Sequence, residues 1–217
     1  LSRDGTKLAL TLDGAGGRGT VVDVANRGLL VPVEGTPMYW DFAVFDSAAQ
    51  KLLTIQNGEM YLRGLDGAQI AGPLPSMSGS SPATHPEFSP DNKKLVNVEY
   101  TGGQDYYAYG GTIVVRSYDA AAGTFGAPAV LVAADPAMGI NNYYPSWSPD
   151  GEWIAFTRST GSSYDDGSAQ TWVVKADGSQ PPVQMTNANL GANLTNSWAR
   201  WVPFPQTFGA SNQKLFY

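Results

Sequence analysis

The chain of 217 residues contains one histidine, His85, and this residue is its first candidate for proton-transfer chemistry. An imidazole titrates near neutral pH and can therefore act as a general base. His85 stands directly before Pro86, where similar segments of the chain carry Tyr144 or an apolar residue. That position favours a structural role at the start of a strand. The sequence has no cysteine, no Gly-x-Ser-x-Gly elbow, no phosphate-binding loop and no His-Glu-x-x-His motif, so the common catalytic signatures are missing.

Carboxylates suggest two other kinds of chemistry. Asp41 and Glu87 both lie near the start of a predicted strand, and a pair of carboxylates is the machinery of many glycosidases. Asp165 and Asp166 precede a glycine on a sharp turn, where clustered oxygens could bind Ca²⁺. This segment lacks the alternating acids and distal glutamate of an EF-hand loop, and Asp-Asp-Gly is also ordinary turn chemistry. We therefore expect no resident cofactor, with Ca²⁺ at Asp165 and Asp166 as the alternative.

A glycine-rich run at residues 14–19 matches the Gly-x-Gly-x-x-Gly pattern of dinucleotide-binding turns. Such a site needs a helix to begin at the glycines, so that its amides face the pyrophosphate. Residues 20–24 are instead rich in β-branched side chains and predict a strand. We expect a hairpin loop at this run.

The composition restricts the classes of partner and structure. The chain has 25 glycines and 15 prolines, and only 15% of its residues are charged, which is typical of a turn-rich, helix-poor domain. A net charge of −6 without a Lys/Arg cluster argues against nucleic acid or an anionic membrane surface as the main partner. No apolar run approaches the roughly 18 residues of a membrane helix. The 42% of hydrophobic residues suffice for a large core.

The elements that must position these residues come from a short repeated segment. Its core is Ser-Pro-Asp-Gly, a turn in which Pro fixes the first corner and Asp and Gly tolerate the others, with a short apolar strand on each side. A second pair of strands joined by Asp-Gly follows each copy. The copies are residues 145–156 (the clearest), 86–96, 1–10 (truncated), 45–53 (degenerate), and 198–201 resuming at 214–217.

Each unit is therefore predicted to be a four-stranded antiparallel meander that stacks on its neighbours. The aligned positions Leu1, Phe45, Phe88 and Trp147 are 44, 43 and 59 residues apart, close to the roughly 40 to 50 residues of a β-propeller blade. We expect no helix longer than about two turns. The apolar repeat positions predicted to be buried between blades are Trp147, Phe88, Ile154, Phe156, Leu95, Trp172 and Val174.

Residues 145–156, PSWSPDGEWIAF, resemble the TolB-like, WD40-like (PD40) propeller repeat of bacterial periplasmic and secreted proteins. The resemblance is good at 86–96, partial at 1–10 and poor at 45–53. It implies an all-β fold, a β-propeller of four-stranded antiparallel blades. Propellers of this type usually have about six blades, so we expect an incomplete part of a larger propeller. The expected division of the single domain 1–217 is a partial blade 1–35, blades 36–80, 81–135 and 136–190, and a partial blade 191–217.

The irregular sequence collects in loops that should emerge on one face of such a propeller. These loops combine tyrosine with Asn, Ser and Gly, which is the composition of recognition loops. The alternative is that the tyrosines only pack on their own blades. The predicted binding residues are Asp105, Tyr106, Tyr107, Tyr109, Asn141, Asn142, Tyr143 and Tyr164.

The resulting functional hypothesis is a non-enzymatic propeller scaffold that binds a protein, or a glycan or peptide. The family resemblance implies a bacterial periplasmic or extracellular setting and a place in a cell-envelope assembly. The alternative hypothesis is the propeller domain of a hydrolase, either a glycosidase or the gating domain of a serine peptidase.

Overall fold

The computed structural model describes residues 1–12, 18–31, 40–79, 81–189, 191, 193–202, 206–208 and 211–213. Most of the glycine run predicted to form a loop and the end of the fifth repeat copy lie outside the described residues. The regular structure is almost entirely antiparallel strand. The only helix among the described residues is a single 3₁₀ turn at Pro136–Met138, as expected for a helix-poor chain.

Three antiparallel sheets, two of four strands and one of five, form the body of the domain. The first contains β3 (Phe42–Phe45), β4 (Lys51–Gln56), β5 (Glu59–Gly64) and β6 (Gln69–Ala71). The second contains β7 (Ala83–Phe88), β8 (Lys94–Glu99) and β11 (Thr112–Asp119), and β11 also pairs with β12 (Thr124–Phe125) and β13 (Ala129–Val132). The third contains β14 (Asn141–Trp147), β15 (Trp153–Ser159), β16 (Gln170–Lys175) and β17 (Val183–Gln184).

Three smaller hairpins complete the described strands. They are β1 (Lys7–Leu12) with β2 (Arg18–Asp23), β9 (Gly102–Gln104) with β10 (Tyr107–Tyr109), and β18 (Gln206–Phe208) with β19 (Ser211–Gln213). The all-β meander architecture predicted from the repeat is confirmed by these sheets. The predicted blade boundaries stay a prediction.

In the second and third sheets, a serine of the repeat motif closes the turn between the first two strands in the same way. The Ser148 hydroxyl donates to Asp150 at 2.6 Å and accepts from the Trp153 amide at 2.9 Å. Ser89 repeats both contacts, donating to Asp91 at 2.6 Å and accepting from the amide of Lys94 at 2.8 Å. A side chain that caps the turn in this way accepts from backbone N–H groups that have no partner in the β-sheet ladder.

In the degenerate copy a carboxylate replaces that serine. Asp46 accepts from the amides of Gln50 at 2.7 Å and Lys51 at 2.9 Å. Its other oxygen, Oδ2, accepts from the side chain of Asn92 at 3.1 Å, which joins the turns of the first two sheets. Asp46 thus provides in the degenerate copy the acceptor for the turn amides that serine provides in the other two.

The hydrophobic core lies between successive sheets. Val96, Val98 and Ile113 of the second sheet pack with Trp147 and Phe156 of the third. Six of the seven predicted core residues are buried, and Trp147 is only 3% exposed. Trp172 is the exception: it is half-buried, and the guanidinium of Arg158 lies 4.5 Å from its ring centre. Arginine can cover an indole face that a neighbouring sheet leaves open.

Candidate functional site

A short hairpin, residues 102–109, projects from the second sheet between β8 and β11; we call it the tyrosine hairpin. Its two strands pair Tyr107 with Gln104 and Tyr109 with Gly102. Gly103 adopts a positive φ of 89°, and a Cβ there would lie 2.3 Å from the Tyr107 carbonyl oxygen. Only glycine therefore allows the two strands to approach this closely.

Three tyrosine rings form a contiguous surface on this hairpin. The ring centres of Tyr106 and Tyr107 are 4.9 Å apart, and those of Tyr107 and Tyr109 are 6.1 Å apart. Tyr106 is 56% exposed and Tyr109 is 45% exposed, whereas Tyr107 is half-buried. The hairpin thus presents aromatic area to solvent while one ring supports the others.

The third sheet holds the tyrosine hairpin in place through hydrogen bonds to its backbone. The buried Asn141 side chain donates to the Ala108 carbonyl at 2.8 Å and accepts from the Gly111 amide at 2.8 Å. Ser163 Oγ accepts from the Ala108 amide at 2.8 Å. Asn141 also donates to the Gly161 carbonyl at 2.9 Å, so one side chain joins the loops of two neighbouring blades.

The remaining predicted binding residues divide into supporting and exposed groups. Asn142 is fully buried and donates to the carbonyls of Gly111 at 3.1 Å and Ala133 at 3.0 Å. Tyr143 is 1% exposed, and burial raises the pKa of its hydroxyl to about 12. From these positions both side chains position the loops and do not reach solvent. Tyr164 is 68% exposed, next to the Ser163 that holds the hairpin.

The predicted calcium ligands Asp165 and Asp166 lie in the loop after Tyr164. Asp166 accepts from both the amide and the hydroxyl of Ser168, at 2.8 and 2.7 Å, as in an ordinary turn. Across the described part of the chain, no group of three or more His, Asp or Glu side chains is placed to hold a metal. The calcium prediction for this loop stays untested.

A row of aromatic side chains crosses the first strands of the three sheets. Phe42, His85 and Tyr144 lie on these strands, and Trp198 extends the row beyond them. Consecutive ring centres are 5.0, 4.2 and 4.7 Å apart in that order. His85 and Tyr144 share a positive φ of 49° and 52° at equivalent β-bulges. A cavity of about 420 Å³ runs along this aromatic row and is also lined by Glu87.

His85 is buried and neutral within this aromatic row. It is 6% exposed, and no described residue forms a hydrogen bond with either ring nitrogen. Burial, with a smaller contribution from the Arg200 cation, lowers the pKa of His85 to about 3. The imidazole is therefore neutral and weakly basic at neutral pH, which supports the structural role expected from its position.

The two carboxylates considered as a glycosidase pair line different cavities. Glu87 forms an ion pair with Arg200 and accepts from the Trp147 amide at 3.1 Å. Asp41 instead contacts Asp105, a residue 64 positions later in the chain. The sequence gives no signal for this pairing, because it depends on how the tyrosine hairpin folds over the start of β3.

The Asp41 and Asp105 carboxyl groups meet in a second cavity, of about 320 Å³, beneath the tyrosine hairpin. Burial, and then the Asp41 carboxylate, raise the pKa of Asp105 to about 7. The buried hydroxyl of Tyr100 borders the same cavity, and burial together with both carboxylates raises its pKa to about 12. The sequence predicted Asp105 as a binding residue and offered Asp41 only as a possible partner of Glu87, so it did not predict that Asp41 and Asp105 meet.

The comparison with solved structures establishes the fold. The Cps50 (Swd1) β-propeller domain of Myceliophteria thermophila matches with a TM-score of 0.58 at 14% identity, over 92% of this chain and 60% of that chain. A protein of Agrobacterium tumefaciens assigned as TolB matches with a TM-score of 0.49 at 20% identity, over 85% of this chain and 59% of that one. The tricorn protease matches with a TM-score of 0.47 at 12% identity, over 78% of this chain and 17% of that one.

This chain thus spans less than two thirds of each of these proteins. No protein-family model matches the sequence, and no curated protein matches it significantly. Within the described residues there is no helix with the length and apolarity that a membrane span requires. The repeat motif, the four-stranded antiparallel sheets and the match to the Cps50 domain together give this chain the fold of a TolB-like, WD40-like β-propeller.

Proposed function

We propose that this propeller is a non-enzymatic binding module whose protein partner docks on the tyrosine hairpin and on the neighbouring Tyr164. The observation that carries the proposal is an exposed aromatic surface on a fixed backbone. Tyr106, Tyr109 and Tyr164 are exposed, while the backbone of Ala108 beneath them is fully buried and hydrogen-bonded at both its amide and its carbonyl.

A fixed backbone lowers the entropic cost of binding, because the loop is already in one conformation before the partner arrives. Tyrosine adds a large contact area at a small loss of side-chain freedom, and it is frequent among residues that dominate binding energy. The site lies at the junction of two blades, since Asn141 and Ser163 tie the hairpin to the third sheet.

Two observations support the absence of a catalytic role. His85, the single histidine of the sequence, is buried and neutral, and Glu87 is engaged by Arg200 and by the Trp147 amide. The proposal includes a bacterial periplasmic or extracellular setting within an envelope assembly. That setting is supported by the resemblance of residues 145–156 to repeats of such proteins.

The test compares a Tyr106→Ala/Tyr109→Ala double variant with the wild type. Immobilised protein captures partners from an envelope fraction, and affinity is then measured with the purified partner. We expect at least tenfold weaker binding by the double variant, since each central tyrosine can contribute more than about 2 kcal/mol. Tyr61→Ala, which truncates a half-buried tyrosine on β5, is the matched control and should bind normally.

Equal binding by the double variant and the control would contradict the proposal. Glycosidase or peptidase activity of the purified protein would contradict its non-enzymatic part. The enzyme assays include Glu87→Gln, so that an activity of the cavity beside the aromatic row can be distinguished from contamination.

A further inference from the structure

The members of the aromatic row share one position of the repeat, three residues before the aromatic anchor of each copy. The pairs are Phe42 with Phe45, His85 with Phe88, Tyr144 with Trp147, and Trp198 with Trp201. His85, Tyr144 and Trp198 all have a left-handed backbone, with φ of 49°, 52° and 62°. This conformation is disfavoured for bulky side chains, and it clusters at functional sites. The repeat thus keeps its rings in one row against the preference of the backbone.

These rings form one wall of the cavity of about 420 Å³. Sites for small molecules have volumes of roughly 300 to 1,000 Å³ and are lined mainly by apolar and aromatic side chains with a few polar groups. The Trp198 ring stacks on Tyr144 with 6° between the ring planes, yet the Trp198 side chain is 53% exposed. The indole therefore keeps free area for a ligand, and aromatic wall area favours a flat ring.

The charged side chains around the cavity favour an anion. Among the described residues that line it, Arg3 and Arg200 stand against the single carboxylate of Glu87, which gives a charge of +1 when Glu87 is ionised. The chain as a whole carries −6. Arg200 pairs with Glu87, but its side chain remains 38% exposed, and Arg3 is exposed. A guanidinium has five N–H donors and matches the geometry of a carboxylate, so Arg200 can serve Glu87 and a ligand together.

The neutral polar side chains among the described lining residues offer little to a ligand with many hydroxyl groups. The Ser47 hydroxyl already donates to the Ser89 carbonyl at 2.6 Å, and both ring nitrogens of His85 are buried. The third, Tyr144, offers a single hydroxyl. A sugar would lose hydrogen bonds to water there without regaining them from these side chains. The ligand that fits both walls is an aromatic ring carrying a carboxylate.

We propose that this cavity binds a small aromatic carboxylate. Its ring packs against Tyr144 and Trp198, and its carboxylate pairs with Arg3 and Arg200. For a ligand of about ten non-hydrogen atoms we expect a Kd on the order of 10⁻⁴ to 10⁻³ M. None of the described residues that line this cavity belongs to the tyrosine hairpin, so the inference does not depend on the proposed function.

The test titrates phenylacetate into the whole chain at about pH 7, where the arginines and the ligand are charged. Calorimetry gives the affinity, and saturation-transfer NMR reports whether the ligand ring contacts the protein. Phenylacetamide keeps the ring without the charge, acetate keeps the charge without the ring, and glucuronate is a sugar carrying a carboxylate. We expect saturable binding of phenylacetate, weakened by added NaCl, and at least tenfold weaker binding of the other three compounds.

Two variants at exposed positions test the two halves of the site. Arg3→Gln removes a charge and Trp198→Ala removes a ring, and each should weaken phenylacetate binding at least fivefold. Both side chains are exposed, so the melting temperature without ligand should change little. Arg27→Gln is the matched control: it removes the same charge from an exposed arginine that does not line the cavity, and it should bind phenylacetate as the wild type does.

Four results would overturn the proposal. One is the lack of saturable binding with about 10 mM phenylacetate, ten times the weakest Kd expected. Equal affinity for phenylacetamide would show that the arginines do not select an anion. Tighter binding of glucuronate would make a sugar acid the ligand. Wild-type affinity in either Arg3→Gln or Trp198→Ala would place the bound phenylacetate elsewhere on the chain.

Discussion

The side-chain amide of Asn141 donates to the main-chain carbonyl of Ala108 at 2.8 Å, across a separation of 33 residues. Asn141 is the first residue of β14, whereas Ala108 is the middle residue of β10, the second strand of the tyrosine hairpin. Both residues are buried. The conformation of a loop on one blade is therefore set by the first strand of the next blade.

Replacing Asn141 by Ala should loosen this junction. The variant leaves the buried Gly111 amide without its acceptor, at about 1–3 kcal/mol, and removes one hydrogen bond each from the carbonyls of Ala108 and Gly161, at about 0.5–1.5 kcal/mol each. The Ala108 carbonyl keeps the Ser163 amide as a donor at 3.0 Å. We expect the free energy of unfolding, measured in urea, to fall by at least about 2 kcal/mol. Hydrogen exchange of the Gly111 amide should become at least tenfold faster.

The control for this experiment is Gln104→Ala, because Gln104 is an exposed residue of the same hairpin. It should leave both the stability and the exchange rate unchanged. An unchanged exchange rate at Gly111 in Asn141→Ala would show that the hairpin is held by other contacts.

The tyrosines of this face should respond to truncation in two distinct ways. Tyr109 is 45% exposed, so Tyr109→Ala should change the free energy of unfolding by no more than about 0.5 kcal/mol. Tyr143 is buried in the core, so Tyr143→Ala should cost about 3–5 kcal/mol. Thermal and urea denaturation measure both; a large loss of stability in Tyr109→Ala would favour the view that these rings only pack on their own blades.

His85 should make the protein sensitive to acid. Its folded pKa of about 3 lies below the ordinary value of 6.5, so between these values only the unfolded chain takes up the proton. The contribution of His85 to stability is complete above pH 6.5 and is lost as the pH falls towards 3, by up to about 1.4 kcal/mol per pH unit. The measurement is the free energy of unfolding between pH 7 and 4, for the wild type and for His85→Phe.

The His85→Phe variant puts an apolar ring of similar shape in place of the neutral imidazole. The imidazole nitrogens form no hydrogen bond with any described residue, so the variant removes none. We expect little change at pH 7 and a flatter pH profile. Glu87 faces the same cavity, and its raised pKa acts in the opposite direction, so only the difference between the two proteins reports on His85. Parallel profiles would mean that His85 is not buried in its neutral form.

The turn side chains of the repeat should be interchangeable between copies. Asp46→Ser places in the degenerate copy the residue that Ser89 and Ser148 supply in the others. We expect it to retain most of the stability, whereas Asp46→Ala should cost about 1–3 kcal/mol, because the amides of Gln50 and Lys51 lose their acceptor. Urea denaturation of both variants gives the comparison, and equal losses would show that the serine geometry does not transfer.

The sequence alone determined the architecture of this protein. Ser-Pro-Asp-Gly and Asp-Gly act through local backbone preferences, and Trp147, Phe88 and Ile154 are buried wherever such a hairpin stacks on another. These are short-range effects that a linear pattern records directly. Trp172 is not predicted by these short-range effects, because the extent of its burial depends on Arg158 from the neighbouring strand.

Only the tertiary structure decided which side chains of the loop-rich segments are exposed and which of them meet. Tyrosine is amphipathic, so the sequence does not distinguish the buried Tyr143 from the exposed Tyr164, although both lie in loop-rich segments. The meeting of Asp41 with Asp105 depends likewise on the path of the tyrosine hairpin over the start of β3. Contacts between distant segments follow from packing of whole blades, and no local preference of either residue specifies them.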